Sequence, residues 1–158
     1  MRHNPEVRIN LHPRTLSTYR VGAWLPIAMP LISVHGVNER VNRRLRILFV
    51  CAMNKQRSVT AELLYRKDAR LEVRSAGVRA DANRRVSDDD LQWADVVFVM
   101  ERDQKQWLSM RFEALELPPI EVLDIPDEYE CMDPHLQEIL RSMLDPEIDS
   151  LLARDEEP

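Results

Sequence analysis

Hydrophobic positions fall into short runs separated by amphipathic stretches from residue 45 onward. Leu45-Arg-Ile-Leu-Phe-Val50 is an apolar run rich in branched and aromatic residues, and it reads as a buried strand. From Ser58 the pattern turns helical: Ala61, Leu64 and Tyr65 share a face, with Ser58 and Glu62 near the start. Leu71-Glu-Val-Arg-Ser-Ala76 alternates before Gly77 and predicts a second strand. Ser87 followed by Asp88, Asp89 and Asp90 resembles an N-cap with an acidic first turn, opening a short helix through Trp93. Asp95-Val-Val-Phe-Val-Met100 predicts a third strand, residues 103–112 a helix, and Ile120-Glu-Val-Leu123 a fourth strand after Pro118-Pro119. Asp133-Pro134 is a good N-cap and N1 pair for a last helix running to about Met143 or beyond. Four strands alternating with helices predict an α/β fold: a four-stranded parallel sheet, flavodoxin-like, with helices on both faces.

Composition narrows the picture. A chain of 158 residues, 44% apolar and 31% charged, has room for one ordinary globular core. Two cysteines 80 residues apart make no disulfide framework, so a reducing, cytoplasmic setting is expected. The formal charge of -5 gives no reason to expect a nucleic-acid partner. That charge is uneven. Residues 1–44 carry seven arginines against Glu6 and Glu39, a net of +5, which leaves -10 for the rest. With six prolines or glycines between Pro5 and Gly36, this segment reads as a basic, flexible or loosely packed extension. The domain proper is then residues 45–150, followed by an acidic tail, 151–158. The apolar run Val21 to Ser33 is broken by Pro26 and Pro30 and falls short of the ~20 residues that span a bilayer, so no membrane partner is expected. Arginine outnumbers lysine 19 to 3, which lowers the weight of any single surface arginine.

Candidate chemistry gathers after the first strand. In an open parallel sheet, ligands bind beyond the carboxyl ends of the strands where strand order reverses, and Cys51 falls there. Attack on a phosphomonoester by a thiol needs the thiolate, and the start of a helix supplies unpaired N–H groups and a dipole that favour negative charge. Cys51, Ala52, Met53, Asn54, Lys55, Gln56, Arg57 and Ser58 make a loop long enough to curl successive N–H groups around phosphoryl oxygens. Arg57 offers a planar fork for two of those oxygens, and the Ser58 hydroxyl a hydrogen bond to the sulfur. Asn54 is a residue type that tolerates the left-handed backbone of such a curl. A Cys-x5-Arg spacing alone is weak; the strand before it and the Arg-Ser and helix after it carry the reading.

These residues resemble the low-molecular-weight protein tyrosine phosphatases, whose signature is a strand, Cys-x-x-Asn-x-x-Arg-Ser and a helix containing Ala-Glu. Cys51, Asn54, Arg57, Ser58, Ala61 and Glu62 match it. Arg74-Ser-Ala-Gly77, the stretch from Ser87 to Glu101, and Asp124-Ile-Pro-Asp127-Glu-Tyr129 are similar to later parts of that family's chain. The resemblance implies catalysis by Cys51, Arg57 and Asp127 through a phosphocysteine, with Asp127 as general acid, Asp124 as the alternative acid and Tyr129 at the substrate mouth. The implied partner is a phosphorylated protein or a small aryl phosphate; no cofactor or metal is implied. Departures from the pattern are Met53, Gln56, Val59 and Glu128, and a connection from Gly77 to Val86 much shorter than the family's, which predicts a shallower pocket. Two other functions fit the same loop: a non-catalytic module that binds phosphorylated partners, and an arsenate reductase, for which only Cys131 is available as a second thiol.

Overall fold

The structure, a computed structural model, describes residues 43–155. The extension expected at residues 1–44 lies outside them except for Arg43 and Arg44, which pair with Asp95 and Glu72. Strands β1 (Leu45–Cys51), β2 (Leu71–Gly77), β3 (Val96–Val99) and β4 (Ile120–Val122) form one parallel sheet in the order β2-β1-β3-β4. The intervening helices are α1 (Arg57–Tyr65), α2 (Asp88–Trp93), α3 (Arg102–Arg111) and α4 (Pro134–Asp155). This is the parallel α/β sheet that the alternation of elements predicts.

Alternate residues of β1 serve opposite faces, which is why that strand reads as continuously apolar. Leu45, Ile47 and Phe49 pack with Ala61 and Tyr65 of α1 and with Leu136, Leu140, Leu144 and Ile148 of α4. Leu48 and Val50 pack on the other face with Leu91 of α2, Leu108 of α3 and Phe112. Ile47, Leu48, Phe49 and Val50 are all fully buried, and each such side chain contributes about 1.5–3 kcal/mol on leaving water. From β1 the chain crosses first to β2 on one side and later to β3 on the other. The carboxyl end of β1 is therefore the point where strand order reverses, and Cys51 sits on it.

Two helix ends follow the expected chemistry. Ser87 and Asp90 form a reciprocal capping box at α2, and Asp133 accepts hydrogen bonds from the N–H groups of His135 and Leu136 at α4. α4 runs well past Met143, through Pro146, and the stripe Leu140, Leu144 and Ile148 explains why. Burying that stripe outweighs the roughly 3 kcal/mol that an internal proline costs a helix. Leu151 and Leu152 pack against the same core, so α4 takes up most of the acidic tail expected from residue 151. No helix among the described residues is long and apolar enough to cross a membrane.

Asp90 is a buried carboxylate with three partners: Ser87, Arg84 and, at 3.5 Å, Arg74. Burial alone raises its pKa, but the hydrogen bonds from Arg84 and Ser87 hold it below the ordinary carboxylate range. A folded-state pKa below the unfolded one means stability that is complete above the unfolded value, ~3.9, and lost as pH falls through the folded one. Asp90→Asn is expected to lower the unfolding free energy at neutral pH by about 2 kcal/mol, the worth of a charged hydrogen bond. The gap from wild type should close below pH ~4, as read by urea denaturation across pH.

Candidate functional site

Cys51 closes β1, and residues 52–56 bend before α1 opens at Arg57. The Cys51 sulfur is buried and has two neighbours that can donate to it: Asn54 N at 3.2 Å and Ser58 Oγ at 3.0 Å. Asn54 takes φ 53°, the left-handed conformation that its residue type tolerates. Its Nδ2 donates to Ser58 Oγ at 3.1 Å and to Ser75 Oγ at 2.8 Å, and the Ser75 hydroxyl donates in turn to Glu62. Because Ser58 Oγ already accepts from Asn54, its own proton is left for the sulfur. This chain of donors, anchored on Glu62, converges on the Cys51 sulfur.

Arg57 is 1% exposed. Its Nη1 donates to Glu101 Oε1 and to Ile125 O, both at 2.7 Å, and its Nη2 pairs with Asp127 Oδ1 at 3.0 Å. Nε is buried and has no hydrogen-bond partner among the described residues. A buried N–H left unmet costs about 1–3 kcal/mol, which a bound oxyanion can remove. Glu101 is itself held, accepting from Gln104 Nε2 at 3.1 Å, while Gln104 Oε1 accepts from Met100 N at 3.0 Å.

Of the residues that sequence marks, Cys51, Asn54, Arg57 and Ser58 are buried in the loop, and Asp127 reaches it through Arg57. Ala52, Met53 and Gln56 are partly buried and Lys55 is exposed. Asp124 is turned to Arg102, at 3.2 Å, with φ 52°. Tyr129 is half-buried against the α1 and α4 core, its ring 5.8 Å from that of His135. Cys131 is exposed, its sulfur 4.0 Å from Thr60 Oγ1. Arg79 pairs with Asp81, Arg84 with Asp90 and Ser75 O, and Arg85 lies over the Trp107 ring. Glu101, Gln104, Ser75 and Asn83 contact the loop or Arg57, directly or through one another, and the sequence reading assigned none of them to the site. Met100-Glu101 closes a stretch that resembles the family, which is the one signal that could have found Glu101. Among the described residues no group of three or more His, Cys, Asp or Glu is placed to hold a metal.

No family model matches the chain, and no curated protein matches it in sequence. Solved structures do match in fold. YfkJ from Bacillus subtilis aligns with TM-score 0.56 and 18% identity over 71% of this chain and 97% of its own. The YwlE arginine phosphatase from Geobacillus stearothermophilus aligns with TM-score 0.54 and 23% identity, covering 70% of this chain and 94% of that one. A low molecular weight phosphotyrosine phosphatase from Vibrio cholerae O395 gives 0.52 and 20%, covering 70% and 98%. The chain has the fold of the low-molecular-weight protein tyrosine phosphatases.

The two carboxylates on Arg57 differ in what they do for folding. Side-chain exposure is 35% at Glu101 and 56% at Asp127, against 1% at Arg57. Glu101→Ala leaves a buried guanidinium short of a partner and is expected to cost about 2 kcal/mol of unfolding free energy, the worth of one charged hydrogen bond. Asp127→Asn, at a more exposed pair, is expected to stay within about 1 kcal/mol of wild type. Chemical denaturation of the two variants at neutral pH checks the ranking.

Proposed function

We propose that the chain is a cysteine-dependent phosphomonoester hydrolase. The observation that carries the reading is the pairing of a buried sulfur, with Asn54 N and Ser58 Oγ beside it, and a buried Arg57 whose Nε has no partner. In the proposed reaction the Cys51 thiolate attacks phosphorus in line. The P–O bond to the leaving group breaks, and Asp127 gives its proton to the departing oxygen. Arg57 and the loop N–H groups hold the three remaining oxygens as charge shifts onto them. Water then attacks the phosphocysteine, Asp127 takes a proton from it, and inorganic phosphate leaves with the thiolate restored. Both carboxylates pair with an arginine, but Asp127 does so with Arg57 of the loop and Asp124 with Arg102 outside it, and this placement supports Asp127 as the acid.

Phosphotyrosine is the proposed substrate group, on the resemblance of Cys51–Glu62 and the acid loop to tyrosine phosphatases. The fold likeness to an arginine phosphatase makes phosphoarginine the competing substrate; there the P–N bond breaks and the proton goes to the departing nitrogen. The test compares a small aryl phosphate, a phosphotyrosine peptide and a phosphoarginine peptide. Cys51→Ser is expected to abolish turnover of whichever is used, and Asp127→Asn to lower kcat on the phosphotyrosine peptide by roughly 10²–10⁴-fold, the usual worth of a general acid. Asp124→Asn should leave the rate close to wild type. Vanadate binding without phosphate release or phosphocysteine by mass spectrometry sinks the enzyme reading in favour of a phosphate-binding module. Arsenate-dependent thiol oxidation lost in Cys131→Ser points instead to a reductase.

A further inference from the structure

Four consecutive carbonyls of the loop have partners, and all four partners come from the short connection after β2. Cys51 O accepts from Val78 N, Ala52 O from Arg79 N, Met53 O from Asn83 N and Asn54 O from Asn83 Nδ2, each at 3.0 Å. In a planar trans peptide the carbonyl and the following N–H point in opposite directions. Holding four carbonyls on the outer side therefore commits the N–H groups of Ala52, Met53, Asn54 and Lys55 to the inner side. Asn54 N, 3.2 Å from the Cys51 sulfur, marks that inner side as the one where a phosphoryl group meets the nucleophile.

The connection is itself fixed at both ends. Gly77 N donates to Arg84 O at 2.8 Å, Val86 N to Gly77 O at 3.0 Å, and Arg84 is tied to Ser75 O and Asp90. Its approach to the loop also requires Gly77. A Cβ there would lie 2.6 Å from Ala52 O and 2.6 Å from Ala82 Cβ, closer than real contacts allow. Val78 and Arg79 act through backbone atoms that any residue supplies. Asn83 alone in this connection hydrogen-bonds the loop with its side chain as well.

We propose that Asn83 is a positioning residue for the oxyanion cradle, its side-chain amide setting the Asn54–Lys55 peptide so that the Lys55 N–H faces the phosphoryl oxygens. The inference rests on the phosphatase reading of the loop and says what the shortened connection does there. Two different peptides are held by the two nitrogens of Asn83, and this makes the side-chain role separable. Removing the amide frees the Asn54–Lys55 peptide but leaves the Asn83 backbone bond that turns the Asn54 N–H onto the sulfur. Phosphoryl binding should weaken while the surroundings of the sulfur stay as they were.

Asn83 is exposed, so Asn83→Ala should fold; Asn83→Leu, close in size, uncharged and without the N–H donor, is the second variant. The full chain is used in a Cys131→Ser background so that iodoacetamide reads Cys51. The expected result is a loss of about fivefold in inorganic vanadate affinity for both variants, the fold-change of one hydrogen bond. A similar fall is expected in kcat/KM, with Cys51 alkylation at fixed pH unchanged. Vanadate affinity within about twofold of wild type in both variants overturns the proposal, being less than a hydrogen bond is worth. So does slower or faster Cys51 alkylation accompanied by a lowered Tm, which marks a general loosening of the loop. A wild-type protein that binds no vanadate overturns the phosphatase reading itself, and this inference with it.

Discussion

Burial of the Arg57 charge is the constraint on which the site depends. A guanidinium taken almost wholly out of water is tolerated only where its N–H groups find acceptors. Those acceptors come from separate parts of the sheet. Arg57 opens α1 just after β1, Glu101 follows β3, and Ile125 and Asp127 follow β4. Satisfying one charge therefore draws the carboxyl ends of three strands together, and with them the loop after Cys51, the capping box of α3 and residues 125–127. The same arrangement leaves Nε without a partner. Folding meets most of the demand of the guanidinium and leaves a remainder that suits an anion.

The start of α1 shows a related division of labour. α2 and α3 both carry capping boxes, but Gln56 makes no side-chain cap for α1, and no acidic residue lies in its first turn. Ser58, the residue type that ordinarily caps, instead places its hydroxyl 3.0 Å from the sulfur. A cap would occupy N–H groups that an anion can use. The sequence thus withholds a stabilising interaction at the one helix that follows Cys51. It recovers stability around the loop through the buried network from Glu62 and Ser75 to Asn54.

The elements were legible because their signals are local. Val96 to Val99 is a run buried on both faces, and Ser87 with Asp90 is a cap readable within four residues. The loop was legible for the same reason, since Cys51, Asn54, Arg57 and Ser58 lie within eight positions. What could not be read were pairings across the chain. Ser75 meets Asn54 from 21 residues away and Glu101 meets Arg57 from 44, and neither has a neighbourhood that announces its partner. The extent of α4 was missed for a different reason. Pro146 is a local stop signal, and it is overridden by a core to which Leu144 and Ile148 contribute from a distance.

On the proposed phosphatase reading, the short connection after β2 bears on how the site selects its substrate. A longer segment has side chains to spare for a wall around the leaving group. Here the N–H groups of Val78 and Arg79 and both nitrogens of Asn83 are turned to the loop, and the charges of Arg79 and Arg84 are met by Asp81 and Asp90. Little of this segment remains to grip a leaving group. Tyr129 is engaged with the core and His135. On the proposed reading, discrimination between substrates falls to the exposed Lys55 and the half-exposed Asp127 carboxylate, the latter paired with Arg57. Both are charged groups, and charge at a solvent-open rim discriminates by attraction and proton supply more than by shape. If the chain is the phosphatase proposed above, its site holds the phosphoryl group firmly and the rest of the substrate loosely.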